Sequence, residues 1–249
     1  DGTFVDLAAY AGVQDAGYVK GGAFGDLDED GDLDLFVSLY REPNRLFANR
    51  GDGTFVDATE EMGVALPIEA FSSWVFDYDQ DGLLDLFVAG YPNLNSQEGP
   101  LSPNWGRAAE AFARDVLGVP QGAESAHLYR NTGTMLEDVT VAMGLDDAHA
   151  TMGSNYGDMD LDGYPDMYLA TGAPALDAIE PNVAYRNDRG RGFLDVTTDM
   201  HVGHLQKGHG VAFGDLDEDG DEDMAVQIGG AFRGDRFMDG LFGNPTNEG

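Results

Sequence analysis

Short apolar runs alternate along the chain with polar, turn-forming clusters, and the runs are too short for helices. Leu35-Phe-Val37, Leu86-Phe-Val-Ala89, Met167-Tyr-Leu-Ala170 and Met224-Ala-Val226 predict buried strands. Each is preceded, one polar loop earlier, by a small-residue segment such as Gly21-Gly-Ala-Phe24 or Gly210-Val-Ala-Phe213. Further on, Leu46-Phe-Ala-Asn49, Leu128-Tyr-Arg-Asn131 and Ala184-Tyr-Arg-Asn187 run into Gly-containing turns. Behind those turns stand Thr54-Phe-Val-Asp57, Met135-Leu-Glu-Asp138 and Gly192-Phe-Leu-Asp195. Asn, Asp and Gly tolerate the positive φ of tight turns, so each such pair predicts a hairpin.

Each unit therefore supplies about four strands. A four-stranded sheet repeated radially predicts an all-β fold, a β-propeller of four-stranded blades. The expected organisation is one domain over 1–249, with units of about 1–50, 51–131, 132–187 and 188–249. Small residues at Gly21, Gly22, Ser72, Ser73, Gly153, Ser154 and Gly210 predict inner strands that approach closely around a narrow axis. Gly2-Thr-Phe-Val-Asp6 reads as a fourth strand and Leu241-Phe-Gly-Asn244 as a third. Together they predict a mixed blade, Phe4 beside Phe242, that closes a four-bladed ring. An insertion of about 92–126 interrupts the second unit. Ala108, Ala111, Phe112 and Val116 fall at helical spacing before Gly118 and Pro120, which predicts one short amphipathic helix.

Between the first two strands of every unit lies the same polar loop, D-x-D-x-D-G-x-x-D, starting at Asp26, Asp77, Asp158 and Asp215. The starts stand 51, 81 and 57 residues apart, which fits blades and not the shorter repeat of a parallel β-helix. Alternate carboxylates at positions 1, 3 and 5, a glycine at 6, a backbone carbonyl at 7 and an Asp at 9 offer all-oxygen ligands to one calcium ion. The first site is then Asp26, Asp28, Asp30 and Asp34 with the carbonyl of Asp32. The second is Asp77, Asp79, Asp81 and Asp85 with the carbonyl of Leu83. The third is Asp158, Asp160, Asp162 and Asp166 with that of Tyr164, and the fourth Asp215, Asp217, Asp219 and Asp223 with that of Asp221. Two carboxylates about 4 Å apart repel by roughly 4 kcal/mol at an effective dielectric near 20, so four in one turn call for a divalent ion. Position 12, the bidentate glutamate of an EF-hand, is Val37, Val88, Leu169 or Val226 here, so these are not EF-hands.

Composition strengthens this picture. Lys and Arg number 13 against 46 Asp and Glu, a formal net charge of -33 that repels nucleic acid and anionic lipid. The acids are clustered, which points to about four bound Ca2+. There is no cysteine, hence no disulfide or thiolate metal site. No run of eighteen apolar residues predicts a membrane-spanning helix, and Asp1-Gly2-Thr3-Phe4 has neither the basic nor the apolar region of an uncleaved signal peptide.

The loops and their flanks resemble FG-GAP or VCBS repeats, the calcium-loop propeller units also found in integrin α-chains. Phe24-Gly-Asp26 and Phe213-Gly-Asp215 open their loops in that family's manner. Leu128-Tyr-Arg-Asn-Thr-Gly133, Met152-Gly-Ser-Asn-Tyr-Gly-Asp158 and His204 through Asp215 are similar to the propeller part of UnbV/ASPIC proteins, the cartilage acidic protein group. The resemblance implies a secreted, periplasmic or cell-surface protein that binds calcium and serves adhesion or assembly, with a protein or glycan partner. It implies no reaction.

A competing expectation is an enzyme. His201, His204 and His209 lie close in sequence and are residue types that bind zinc or copper, and the insertion could serve as a lid over a polysaccharide. No phosphate-binding glycine loop or nucleophile elbow supports it, and inner-strand histidines are ordinarily structural. Arg233-Gly-Asp235, a tripeptide that integrins recognise, reads as coincidence in a chain so rich in Gly and Asp.

Overall fold

The computed structural model describes residues 2–14, 17–91, 124–172, 180–205 and 207–229. Strands β1 (Val19–Gly25), β2 (Asp34–Leu39), β3 (Arg45–Asn49) and β4 (Phe55–Asp57) form the first antiparallel sheet in that spatial order. β5 (Ala70–Phe76), β6 (Asp85–Gly90), β7 (His127–Asn131) and β8 (Leu136–Asp138) form the second. β9 (Thr151–Gly157), β10 (Asp166–Thr171), β11 (Val183–Asn187) and β12 (Phe193–Asp195) form the third, and β13 (Gly208–Gly214) pairs with β14 (Asp223–Ile228). The registers repeat: Gly25 faces Asp34, Phe76 faces Asp85, Gly157 faces Asp166 and Gly214 faces Asp223, so every Asp-rich loop closes on the same pairing.

These sheets are the blades of a β-propeller. Inner strands β1, β5, β9 and β13 lie side by side in sequence order. Small residues permit the approach: a Cβ on Gly21 would sit 3.0 Å from the Phe71 carbonyl oxygen, and one on Gly153 would collide with the His209 carbonyl. The Ser72 and Ser154 hydroxyls meet across the second seam.

The core fills the seams between blades. Leu27, Phe36, Leu46, Leu86, Val88 and Tyr129 are buried between the first and second blades. Trp74, Phe76, Tyr78, Phe87, Met167 and Tyr185 fill the next seam, with Trp74 stacked on Phe87 at 4.4 Å. The second residue of the first two loops plugs its seam: Leu27 and Tyr78 are each 1% exposed. Leu216, in the last described blade, is 72% exposed. Polar pins accompany the plugs. Asn131 Nδ2 donates across the first seam to the Leu27 carbonyl at 3.0 Å, and Asn187 Nδ2 across the second to the Tyr78 carbonyl at 2.8 Å.

A second repeated device, not anticipated above, follows the fourth strand. Asp57-Ala-Thr59, Asp138-Val-Thr140 and Asp195-Val-Thr197 place an Asp carboxylate on the backbone N–H of the Thr two residues on, at 2.8 to 3.1 Å. The Thr hydroxyl oxygen then accepts the N–H of Leu46, Leu128 or Ala184 at 2.9 to 3.0 Å. That N–H lies on β3, β7 or β11 beyond the ladder of the short fourth strand, so the buried Thr takes the place of the missing strand residue. Single helical turns sit here and near the start, α1 (Ala8–Ala11) and α2 (Thr59–Met62). They end at Gly12 and Gly63, whose φ values are 79° and 74°.

Ring closure differs from expectation. Residues 2–7 form no strand, and Phe4 is fully exposed, because the segment joins none of the described hydrogen-bonded sheets. The four described blades form an open arc. Phe242, the insertion helix near 107–117 and Arg233-Gly-Asp235 lie outside the described residues.

The seam pins generate an ordering of stabilities. Asn187→Ala orphans the Tyr78 and Pro165 carbonyls and the Gly190 N–H. It should cost about 1–3 kcal/mol in denaturant unfolding. Asn49→Ala should cost less, because the Asn49 amide N–H reaches only its own blade, at the Leu33 carbonyl. Equal losses would contradict the role given to the seam.

Candidate metal centres

Each loop turns sharply by the same backbone means. The fourth residue takes a positive φ of 58° to 65° at Glu29, Gln80, Leu161 and Glu218, and the sixth, Gly31, Gly82, Gly163 or Gly220, takes 93° to 98°. A Cβ on Gly31 would meet nothing within 4 Å, so glycine is needed there for its conformation and not for space. The loop's own amides then aim the carboxylates. In the first loop Asp26 accepts from the N–H groups of Asp30 at 3.1 Å and Gly31 at 3.0 Å, and the bonds recur in the other three loops.

The result is a cluster of carboxylate oxygens in every loop. Asp26, Asp28 and Asp34 bring one oxygen each to within 4.8 Å of one another, as do Asp77, Asp79 and Asp85, Asp158, Asp160 and Asp166, and Asp215, Asp217 and Asp223. Positions 1, 3 and 9 are thus gathered. The position 5 residues Asp30, Asp81, Asp162 and Asp219 stand outside these sets, each accepting the N–H of the position 7 residue Asp32, Leu83, Tyr164 or Asp221 at 2.9 to 3.2 Å. The three histidines join no such cluster among the described residues: His201 lies in a turn with φ 59°, His204 in the following coil and His209 on β13.

Position 9 distinguishes these loops from ordinary acidic turns. Asp34, Asp85 and Asp166 are at most 1% exposed. Their carboxylates accept one N–H from the loop's second residue, Leu27, Tyr78 or Met159, at 2.8 to 3.1 Å. The other oxygen accepts from Asn49, Asn131 or Asn187 at the end of the third strand, at 2.7 to 2.9 Å. Two amides do not offset the loss of water. Burial pushes Asp85 up to about 7 and Asp166 to about 6, and it raises Asp34 as well. A divalent cation among the three carboxylates would remove that penalty, and hard oxygen donors suit calcium. The terminal-strand asparagines, read from sequence only as turn formers, are therefore part of the site's frame. Their alignment at the end of three third strands was the available signal.

Counter-charges differ from loop to loop. In the second, Arg130 Nε stands 2.8 Å from Asp79 Oδ2, off the line of a hydrogen bond, while Nη2 donates to Asp81 Oδ2 at 2.9 Å. In the third, Arg189 Nε lies 3.3 Å from Asp162 Oδ2. The fourth loop is the most open, with Asp215 and Asp217 exposed, and neighbouring Asp219 raises the Asp221 carboxyl.

The raised groups set a pH dependence for the metal-free protein. A carboxyl whose folded pKa exceeds its unfolded value favours the fold when protonated. Its contribution is complete below about pH 4 and is lost as pH rises to about 7. Melting in excess chelator should therefore occur at a lower temperature at pH 7.5 than at pH 5. Asp85→Asn, neutral at both, should shrink the difference. A metal-free protein more stable at pH 7.5 would contradict uncompensated burial of these acids.

Residues 26–88 match a family model described as an FG-GAP-like repeat. Human cartilage acidic protein 1 is 38% identical over 87 residues, covering 34% of this chain and 13% of that protein. The Xenopus tropicalis protein of the same name is 36% identical over 86 residues, 32% of this chain and 13% of its own length. The Mus musculus protein is 34% identical over 87 residues, 34% and 14% respectively. The chain thus spans only a small part of these relatives' length. Residues 26–88 of this chain of propeller-type blades are thus similar to an FG-GAP-like repeat, and about a third of the chain is similar to cartilage acidic protein 1.

Proposed function

We propose that the chain is a calcium-stabilised, extracytoplasmic binding or assembly module, one propeller domain that presents blade faces and loops to a protein or glycan partner. The observation that carries it is the recurrence, in the first three loops, of a three-carboxylate cluster whose ninth-position Asp is buried and, among the described residues, touches no positive side chain. The position 5 carboxylate and the position 7 carbonyl are the further oxygens that would complete each shell, giving the ligand sets expected from the spacing. Calcium supplies charge compensation there. The protein's own residues set the geometry: loop amides orient the carboxylates, and the third-strand Asn ties position 9 to the blade.

The setting of such a module follows from ion supply. Extracellular and periplasmic spaces hold calcium at levels that saturate moderate sites, and the similarity to cartilage acidic protein 1 supports that location. The charge of -33 argues against nucleic acid as partner, and no described helix is long and apolar enough to cross a membrane.

Two measurements test this reading. At a hundredfold excess over its dissociation constant, calcium adds about 2.7 kcal/mol per site, so excess chelator should lower the melting temperature sharply and added calcium restore it. Unchanged melting would remove structural calcium from the account. A pull-down from the native source, run with calcium and with chelator, should recover a protein or glycoconjugate only with calcium. Recovery independent of calcium would separate partner binding from the metal loops.

A further inference from the structure

The loops share one ligand pattern yet differ in the cation already supplied by the chain. Arg130 is the third residue of β7 core segment Leu128-Tyr-Arg-Asn131, and its guanidinium bridges Asp79 and Asp81 at 2.8 and 2.9 Å. The structurally equivalent residue of the first blade is Ala48: Asn49 next to it binds Asp34 as Asn131 binds Asp85. In the third blade the equivalent is Arg186, and the contact to the loop comes instead from Arg189, through one longer approach of 3.3 Å to Asp162.

We infer that Arg130 is a built-in counter-cation of the second loop, one that holds Asp79 and Asp81 in place when calcium is absent and weakens calcium binding there when it is present. The inference rests on the calcium reading of the loops and adds a regulation that the repeat pattern alone does not contain. Asp79 is 12% exposed and Asp81 28%, while the guanidinium that compensates them is itself 40% exposed and so meets them at the edge of the solvent. Without it the metal-free loop would carry four carboxylates, Asp77, Asp79, Asp81 and Asp85, and no positive side chain in contact with them among the described residues. With an ion bound, a fixed positive charge remains within a few ångströms of a divalent cation. A unit charge about 5 Å from a divalent ion, screened nearly as in water, weakens binding roughly tenfold. Among the described residues the first loop has no such resident, and its calcium affinity is not weakened in this way.

Two variants test this in opposite directions. Arg130→Gln keeps polar reach and removes the charge; Ala48→Arg installs the charge beside the first loop. Stepwise calcium constants are read by competition with a chromophoric chelator, and melting is followed in chelator and in saturating calcium. For Arg130→Gln one step should tighten roughly tenfold. Its melting should fall by about 2–4 °C in chelator, with a smaller fall or none in saturating calcium. A merely structural arginine would lower both meltings alike and leave the constants unchanged, and that result would overturn the inference, as would weaker calcium binding. Ala48→Arg should weaken one step by a similar factor. If Arg130→Gln does not fold, Ala48→Arg decides: unchanged or tighter binding overturns the inference. Wild-type protein that binds no calcium would refute the calcium reading itself, a different outcome from calcium bound without any effect of Arg130.

Discussion

The structure depends most on a carboxylate placed where water is excluded. Asp34, Asp85 and Asp166 begin the second strand of their blades, receive an amide from the loop on one oxygen and an amide from the third strand on the other. One side chain thereby fixes the loop, the start of the second strand and the end of the third. Such a group stabilises the blade only if its charge is compensated, since burying an unpaired carboxylate costs far more than two hydrogen bonds return. The other two carboxylates of the cluster make matters worse when no cation is present. Loop and blade are for that reason a single unit, and a cation held by the cluster would link metal binding to folding.

The loops also belong to the seams. Their second residues, Leu27 and Tyr78, enter the apolar layer between blades, and the carbonyls of the same residues accept from Asn131 and Asn187 of the next blade. A disturbance at the carboxylates would therefore reach the contact between blades as well as the blade itself. Leu216 shows the same position without a described neighbour and stands open to solvent. The seam, more than any single sheet, is where the apolar surface is buried.

Much of this was legible in the chain because it is repeated. The strands after each loop, the hairpins behind the asparagines and the small inner-strand residues all fall where their patterns put them, and the carboxylates at positions 1, 3 and 9 converge. Other parts were hidden for physical reasons. The Asp-x-Thr device is a local side-chain to backbone bond, and its residue types are those of any turn. The N-terminal segment carries the pattern of a fourth strand, but a strand exists only beside a partner, and pattern alone does not supply one. Arg130 looked like an ordinary strand residue; only the folded blade brings it over a loop some 50 residues earlier in the chain.

The central claim is that these carboxylate clusters are calcium sites on which the fold relies. Native mass spectrometry of the protein equilibrated with millimolar calcium tests it most directly, by counting bound ions on the folded charge states. The account predicts four calcium ions on the wild-type protein, one for each three-carboxylate cluster, and three on Asp85→Asn. A folded protein that carries no calcium under those conditions, or a variant that keeps the wild-type count, would contradict it.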